Sequence, residues 1–415
     1  MIELKDKKEC CGCHACVSIC AHKAISMQAD TEGFLYPLTD KAVCTECGLC
    51  EKVCPVIHQG SPRHPLNVYA SKSKDETIRQ ESSSGGIFTL LAEAIIREGG
   101  IVFGAKFDET WNVIHASAEN LDKLADFRGS KYVQSIIGNT YKEAKEQLKQ
   151  GRKVLFSGTP CQIAGLKQYL GKEYKNLLTV DFICHGVPSP LVWERYLCEL
   201  QENLGIDYKF RKDKTLSSLY KLPAISSISF RKKTYGWKKF SFYLRFVVPQ
   251  ELSTSTLEEA KEFVEPFPKN TYMKGFLADL YLRPSCHYCP SRCFRSGSDI
   301  TLGDFWGIKE QHPEMDDDKG ISAIIVNSEK GFLYTTKINA ELLPTKLQAV
   351  KVKNPALYVS CKPHRNRTKF FPLKKNHSLE KHIQKFLRPT LWEYINQSWY
   401  KIKTTIKFRH NNRRV

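Results

Sequence analysis

The sequence predicts a small cysteine-rich α+β unit, then a larger α/β domain carrying a β-hairpin insertion, then a basic helical C-terminal tail. Three observations predict this order. Nine of the 16 cysteines lie between Cys10 and Cys54. From Leu66 to about Asn327, apolar runs of strand length alternate with helical patterns, which argues for an α/β domain with a mainly parallel sheet. Residues 361–415 hold 15 Lys and Arg against two acids.

At 415 residues the chain exceeds one small module and divides into two or three domains of about 150 residues each. Apolar residues make up 41% and charged residues 26%, the balance of a soluble globular protein and not of a disordered or fibrous one. No apolar run reaches the roughly 18 residues of a membrane span. The start, MIELKDKKECC, is charged and lacks an apolar core, so no secretory signal is expected. The net charge of +19 is uneven: the first 60 residues hold six Lys and eight acids, and the tail supplies most of the excess. A nucleic-acid surface would spread that excess, so no nucleic-acid partner is expected. Dense cysteine in a large chain points to metal ligands in a reducing, cytoplasmic compartment.

Cys10-x-x-Cys13-x-x-Cys16-x-x-x-Cys20 and Cys44-x-x-Cys47-x-x-Cys50-x-x-x-Cys54-Pro55 repeat one spacing. It is that of two-cluster bacterial ferredoxins, where the fourth cysteine of each run ligates the other cluster. Residues 1–58 are therefore expected to form an α+β ferredoxin-like domain with two 4Fe–4S clusters. Cluster one takes Cys10, Cys13, Cys16 and Cys54; cluster two takes Cys44, Cys47, Cys50 and Cys20. Zinc sites would use separated C-x-x-C pairs and have no need of a swapped fourth ligand. Gly12 and Gly48 sit where backbone passes close to sulfide. Ala21 stands where proline usually follows the first run, and Cys11 is surplus, a bystander thiol.

Gln59 to Pro65 reads as a linker. The next domain, 66–327, has an N-terminal part to about 150 and a C-terminal part from 151. Helices are expected at 87–97, 140–150, 161–170 and 190–203, and strands at 101–107, 154–157 and 177–183. Between 225 and 247, alternation of Ile228, Phe230, Phe240, Phe242, Leu244 and Phe246 about Tyr235-Gly236 predicts the β-hairpin. Its basic turn, Arg231 to Lys239, reads either as a solvated turn or as a docking surface for an anionic partner. In Ser157-Gly158-Thr159-Pro160-Cys161-Gln162, Thr159 fits a helix N-cap, Pro160 the first helical position, and Gln162 a capping box. Cys161 then lies where the helix dipole favours a thiolate. Ser82-Ser83-Ser84-Gly85-Gly86 precedes another helix and suits either a cap or a phosphate cradle.

The strings SSSGGIFTLLAEAI, GSKYVQS, LFSGTPCQIAGLK, DFICHGVPSP, Cys286-His287-Tyr288-Cys289 and SDITLGDFWG, with the double cysteine motif, carry a resemblance. From residue 1 to about 327 the chain resembles the family of the coenzyme F420 hydrogenase/dehydrogenase beta subunit. The resemblance implies an α/β flavin-binding domain holding FAD, with electrons passing between 4Fe–4S clusters and a flavin that exchanges hydride with a two-electron partner. It implies a diphosphate site for which Ser83, Ser84, Gly85, Gly86, Lys131, Ser157, Gly158 and Thr159 are the candidates. It also implies a third 4Fe–4S cluster on Cys161, Cys184, Cys286 and Cys289, with Cys293 an alternative fourth ligand. The hydride partner stays open among F420, a nicotinamide and an organic substrate.

Residues 328–415 are expected to form a C-terminal extension. Trp392, Ile395, Trp399, Ile402 and Ile406 make an apolar helical stripe beside Lys401, Lys403, Lys407 and Arg409. It suits docking on a protein core or peripheral contact with the inner face of a membrane. Two functional readings follow. One is an iron–sulfur flavoprotein oxidoreductase served by a redox partner protein or a soluble carrier. The other is a non-catalytic electron-transfer subunit of a partner enzyme, with cell-surface polysaccharide biosynthesis as one setting.

Overall fold

The computed structural model describes residues 1–205, 224–248, 259–374 and 377–389. The expected tail helix, Trp392 to Arg409, lies outside the described residues. Among the described residues no helix is long and apolar enough to cross a membrane.

The N-terminal unit is built on an antiparallel hairpin of β1 (Ile25–Ala29) and β2 (Leu35–Thr39). Each cysteine loop runs into a short helix, Ala15–Ile19 and Leu49–Lys52. Left-handed residues turn both loops, His14 at φ 63° and Gly48 at φ 73°. The core of this unit is small: Ile2, Cys16, Ile25, Cys50 and Cys54.

The chain then passes through β3 (Asn67–Ser73), β4 (Ile101–Phe107), β5 (Val113–Ala118), β6 (Val154–Gly158) and β7 (Leu177–Phe182). An insertion adds β8 (Ala224–Lys232), β9 (Ser241–Val248) and β10 (Glu259–Pro266), and the chain returns as β11 (Ile300–Asp304), β12 (Ser322–Val326) and β13 (Ala340–Pro344). Eight strands form the main sheet in the order β13-β3-β12-β11-β7-β6-β4-β5. The centre, β11-β7-β6-β4, is parallel. The pairings β4–β5, β11–β12, β12–β3 and β3–β13 are antiparallel, so the sheet is mixed where a mainly parallel one was expected. The tight turn after β4 is too short for a crossover, which forces β5 to reverse.

Helices cover both faces, so β7 and β12 are buried at successive residues and not at alternating ones. Ile87–Arg97 and Glu329–Lys337 cover one face. Thr140–Lys149 and Pro160–Leu170 cover the other. Pro160 opens its helix, the Gln162 side chain accepts the Thr159 N–H at 2.9 Å, and Gly171 closes it at φ 69°. The expected boundary at residue 327 does not interrupt this layer. β13 lies beyond it and covers the open side of β3, which would otherwise leave its backbone groups unpaired.

The insertion is a three-stranded sheet, β10-β9-β8. Phe230, Phe240, Phe242, Leu244 and Phe246 pack on Trp193, Tyr196, Tyr272 and Phe276 of helices Pro190–Asn203 and Thr271–Leu277. Its basic turn divides. Arg231 is buried against Asp304 at 2.7 Å, and Lys233 donates to the carbonyls of Arg79, Ser84 and Lys319, so these two cations brace the interior. Lys232, Lys238 and Lys239 are exposed, with Lys238 paired to Asp316.

The N-terminal unit does not stand apart. Cys11, Cys13, Ala15 and Val53 share one core with Tyr141, Ile163 and Leu166. Gly165 makes this possible: a Cβ there would lie 2.9 Å from Cys13 Sγ. Gly165→Val should therefore destabilise the chain by about 1–3 kcal/mol through overpacking. Chemical denaturation under anaerobic conditions, with Gly165→Ala as the milder comparison, checks this.

Candidate functional site

Among the described residues two hollows are lined by cysteines. The first is bounded by Cys10, Cys13, Cys16 and Cys54 with Ile2, Met27 and Val56. The second is bounded by Cys161, Cys184, Cys286 and Cys289 with Gly186, Val187 and Arg292. Each set of four is one expected from the sequence. Local backbone places the sulfurs. The Gly12 N–H donates to Cys10 Sγ at 3.4 Å, and the Val187 N–H to Cys286 Sγ at 3.4 Å. Gly186, at φ 157°, lets the DFICHGVP turn approach Cys286, since a Cβ would lie 3.2 Å from that of Cys286.

Among the described residues no three His, Cys, Asp or Glu side chains close on a position for a lone metal ion. The thiols ring a space instead, which suits a cubane whose irons stand at its corners. Burial pushes the Cys16 thiol up to about 12 and raises Cys184 and Cys286 further. At neutral pH these are protonated thiols unless metal cations displace the protons. Cys161 departs from the thiolate expected at a helix N-terminus. The neighbouring Cys11, and then burial, raise it well above the usual thiol range and outweigh the dipole.

Cys11 is the residue that spacing missed. It lines both hollows. It packs in one core with Cys13, and Cys161 lies against that core. Cys361 was also missed: its Sγ lies 3.6 Å from His287 Nδ1, and the Cys289 N–H donates to the neighbouring Ser360 hydroxyl. Neither belongs to a local pattern, so no sequence signal marks them. Cys293 lies away from the second hollow's lining, with its N–H on Leu357 O and its carbonyl on the Arg63 N–H.

The remaining run lies at the surface end of the N-terminal unit. Cys47 is exposed, Cys44 half-buried and Cys50 buried. Cys20 packs against the small core that contains Cys50.

The diphosphate candidates fall into two groups. In the first, the Ser130 N–H donates to Ser83 Oγ at 2.7 Å, which joins the SSSGG and GSKYVQS loops. Gly86, at φ 87°, opens helix Ile87–Arg97 with no side-chain cap. Lys131 Nζ donates to the carbonyls of Arg128 and Gly129, and burial pulls its ammonium down to about 7. Ser84 and Gly85 have internal partners: Ser84 Oγ donates to Ile321 O, and the Gly85 N–H to Ser322 Oγ. In the second group, Ser157, Gly158 and Thr159 sit at the end of β6 beside His115. His115 Nε2 meets Ser157 O at 3.0 Å, and its buried Nδ1 has no partner among the described residues. Burial lowers His115 to about 4, so the ring is neutral. The segment 129–137 links the groups, because Gln162 Nε2 donates to Ser135 Oγ at 2.9 Å. Gln134 Nε2, one residue earlier, donates to Cys11 O at 3.2 Å.

Residues 68–139 and 151–346 match the family models described as coenzyme F420 hydrogenase/dehydrogenase, beta subunit, N-term and C terminus. The chain belongs to the family of the coenzyme F420 hydrogenase/dehydrogenase beta subunit. Residues 9–57 match a 4Fe–4S dicluster domain, so this member carries iron–sulfur motifs ahead of the two family regions. A subunit of the F(420)H(2) dehydrogenase of Methanosarcina mazei is 28% identical over 169 residues, 37% of this chain and 46% of the relative. The chain thus spans under half of that relative's length. A solved structure of the F420-reducing NiFe hydrogenase complex from Methanosarcina barkeri aligns at 17% identity with a TM-score of 0.43, over 78% of this chain and 91% of that one.

Iron analysis of the anaerobically purified chain should give about twelve atoms, about four per cubane. Cys286→Ser should lower this to about eight without touching the N-terminal pair. An unchanged count in that variant would remove the second hollow as a cluster site.

Proposed function

We propose that this chain is an iron–sulfur flavoprotein oxidoreductase that moves electrons between its surface and a buried flavin. The observation that carries the reading is Cys11, which lines both hollows. When bound, cubanes carry single electrons and a flavin trades pairs of them as hydride.

The residues divide the work by depth. Cys44, Cys47, Cys50 and Cys20 hold the outer cluster, where exposed Cys47 gives a partner access. Cys10, Cys13, Cys16 and Cys54 hold the next, sealed by Ile2 and Val56. Cys161, Cys184, Cys286 and Cys289 hold the innermost. The first group of diphosphate candidates offers the uncapped N-terminus of an eleven-residue helix and the Lys131 ammonium, both suited to phosphate. The second group offers the His115 Nδ1 lone pair, which lacks a donor and suits the imide N–H of an isoalloxazine. Segment 129–135 spans at most about 20 Å between them. A dinucleotide laid along it would present its ring beside the Cys161 turn.

A second reading is that of an electron-transfer subunit serving another enzyme. Leu38, Val43, Leu49 and Ile57 are exposed apolar side chains of the N-terminal unit; Val43 precedes the outer cysteine run and Leu49 lies within it. Such side chains suit a protein contact. The relative in Methanosarcina mazei is itself named a subunit. Turnover of an artificial donor by the isolated chain favours the first reading; activity appearing on addition of a partner favours the second.

The Lys131 assignment has a pH signature. In the free protein the amine is charged below about 7 and neutral above it. Phosphate prefers the charged form, so FAD affinity should weaken as pH rises above about 7. Lys131→Met should bind FAD about tenfold more weakly, about 1.4 kcal/mol, and lose that slope. Flavin fluorescence titration from pH 6 to 9 checks both, and a parallel slope in Lys131→Met removes Lys131 from the site.

A further inference from the structure

Arg283 is completely buried and lies three residues before Cys286 in the chain. Its Nε donates to Cys10 O at 2.8 Å and Nη1 to Gln134 Oε1 at 2.9 Å. Nη2 donates to Leu35 O at 2.9 Å and to Cys10 Sγ at 3.4 Å. The guanidinium also stacks 4.3 Å from the Tyr36 ring centroid. A guanidinium stays charged in any protein environment, and removing that charge from water is costly unless an opposite charge meets it.

The other deeply buried arginines meet one. Arg79 pairs with Asp317 at 2.5 Å and Arg231 with Asp304 at 2.7 Å. Arg283 differs. Its acceptors among the described residues are neutral oxygens and one cysteine sulfur. The place is prepared from the opposite side as well. Gly12 has φ 69°, and a Cβ there would stand 2.9 Å from Arg283 Nη1 and 2.6 Å from Gln134 Nε2. A buried cation without a carboxylate, aimed at a cysteine that lines a hollow, calls for an anion in that hollow.

We propose that Arg283 is the counter-charge of the cluster held by Cys10, Cys13, Cys16 and Cys54, and that it raises that cluster's reduction potential. The proposal rests on the assignment of a cubane to those four cysteines. One-electron reduction adds one negative charge to the unit of cluster and thiolates. A fixed positive charge hydrogen-bonded to one of those sulfurs, away from screening water, stabilises the reduced form. The outer cysteine run has exposed Cys47 and no such buried arginine among its described contacts. Electrons arriving from a partner are thereby drawn inward. Arg283 is a positioning residue, since it acts on the cluster through Cys10.

The test is an EPR-monitored redox titration of the anaerobically purified full chain, wild type against Arg283→Gln and Arg283→Lys, with iron and sulfide counted in each. The expected result is one midpoint moved to more negative potential in Arg283→Gln at unchanged iron content, and partly restored in Arg283→Lys. Unmoved midpoints in iron-replete Arg283→Gln overturn the proposal. Should that variant lose iron, an Arg292→Lys chain labelled with ¹⁵N in the arginine guanidinium decides, because it carries no labelled guanidinium at the second hollow. A ¹⁵N hyperfine coupling on a reduced cluster supports the proposal, and no coupling overturns it. A wild-type chain with no reducible cluster signal refutes the cubane assignment itself and takes the proposal with it.

Discussion

The contact between the Cys10–Cys16 loop and helix Pro160–Leu170 is the constraint on which the rest depends. Cys13 lies against Gly165 with no room for a side chain between them. That approach brings the N-terminal unit into the core of the α/β layer, alongside Tyr141, Ile163 and Leu166. It also lodges the Cys11 thiol between two rings of cysteines. Two motifs that belong to different regions of the sequence thus face each other across one sulfur. Arg283 fastens the same junction from another side, through Cys10, Leu35 and Gln134. Separately foldable modules joined by a linker would not hold this geometry, because thermal motion between domains would vary the gap.

Buried cations arrange the other end of the site. Lys233 donates to the carbonyls of Arg79 and Ser84, and Arg79 reaches Asp317 and Gly320 O. These bonds hold the SSSGG loop against β3 and β12, where Gly85 fits because a Cβ would meet Ser71 O at 2.5 Å and Ser322 N at 2.9 Å. The N-terminus of helix Ile87–Arg97 is therefore held in place by groups that do not themselves face it. Under the proposed function this ordering reduces the entropy lost when the cofactor's phosphates arrive.

What the sequence made legible was local. The two cysteine runs mark the 4Fe–4S dicluster domain through spacing alone. Thr159, Pro160 and Gln162 mark a helix start within four residues, and the apolar runs at 101–107, 154–157 and 177–183 became strands of the parallel centre. What stayed hidden depends on partners distant in the chain. Arg231 and Lys233 read as a charged turn, since nothing near them announces Asp304 or the carbonyls at 79, 84 and 319. Cys11 reads as surplus because its neighbour Cys161 lies far away in sequence. β13 fell outside the expected domain because an edge strand needs no apolar run, only a partner. For the free Cys161 thiol, a helix terminus worth about 0.3–1 kcal/mol is outweighed by the neighbouring Cys11 and then by burial.

The closed junction also dictates an order of biogenesis. The hollow bounded by Cys161, Cys184, Cys286 and Cys289 is walled by the α/β domain and by Cys11 of the N-terminal unit. Under the proposed function, iron and sulfide have to reach that pocket before the N-terminal unit docks. The outer run, with Cys47 at the surface, would then be open to loading or repair on the finished molecule. On the same proposal oxidative damage is graded by depth: the peripheral centre is replaceable in place, whereas loss of the innermost obliges the chain to reopen.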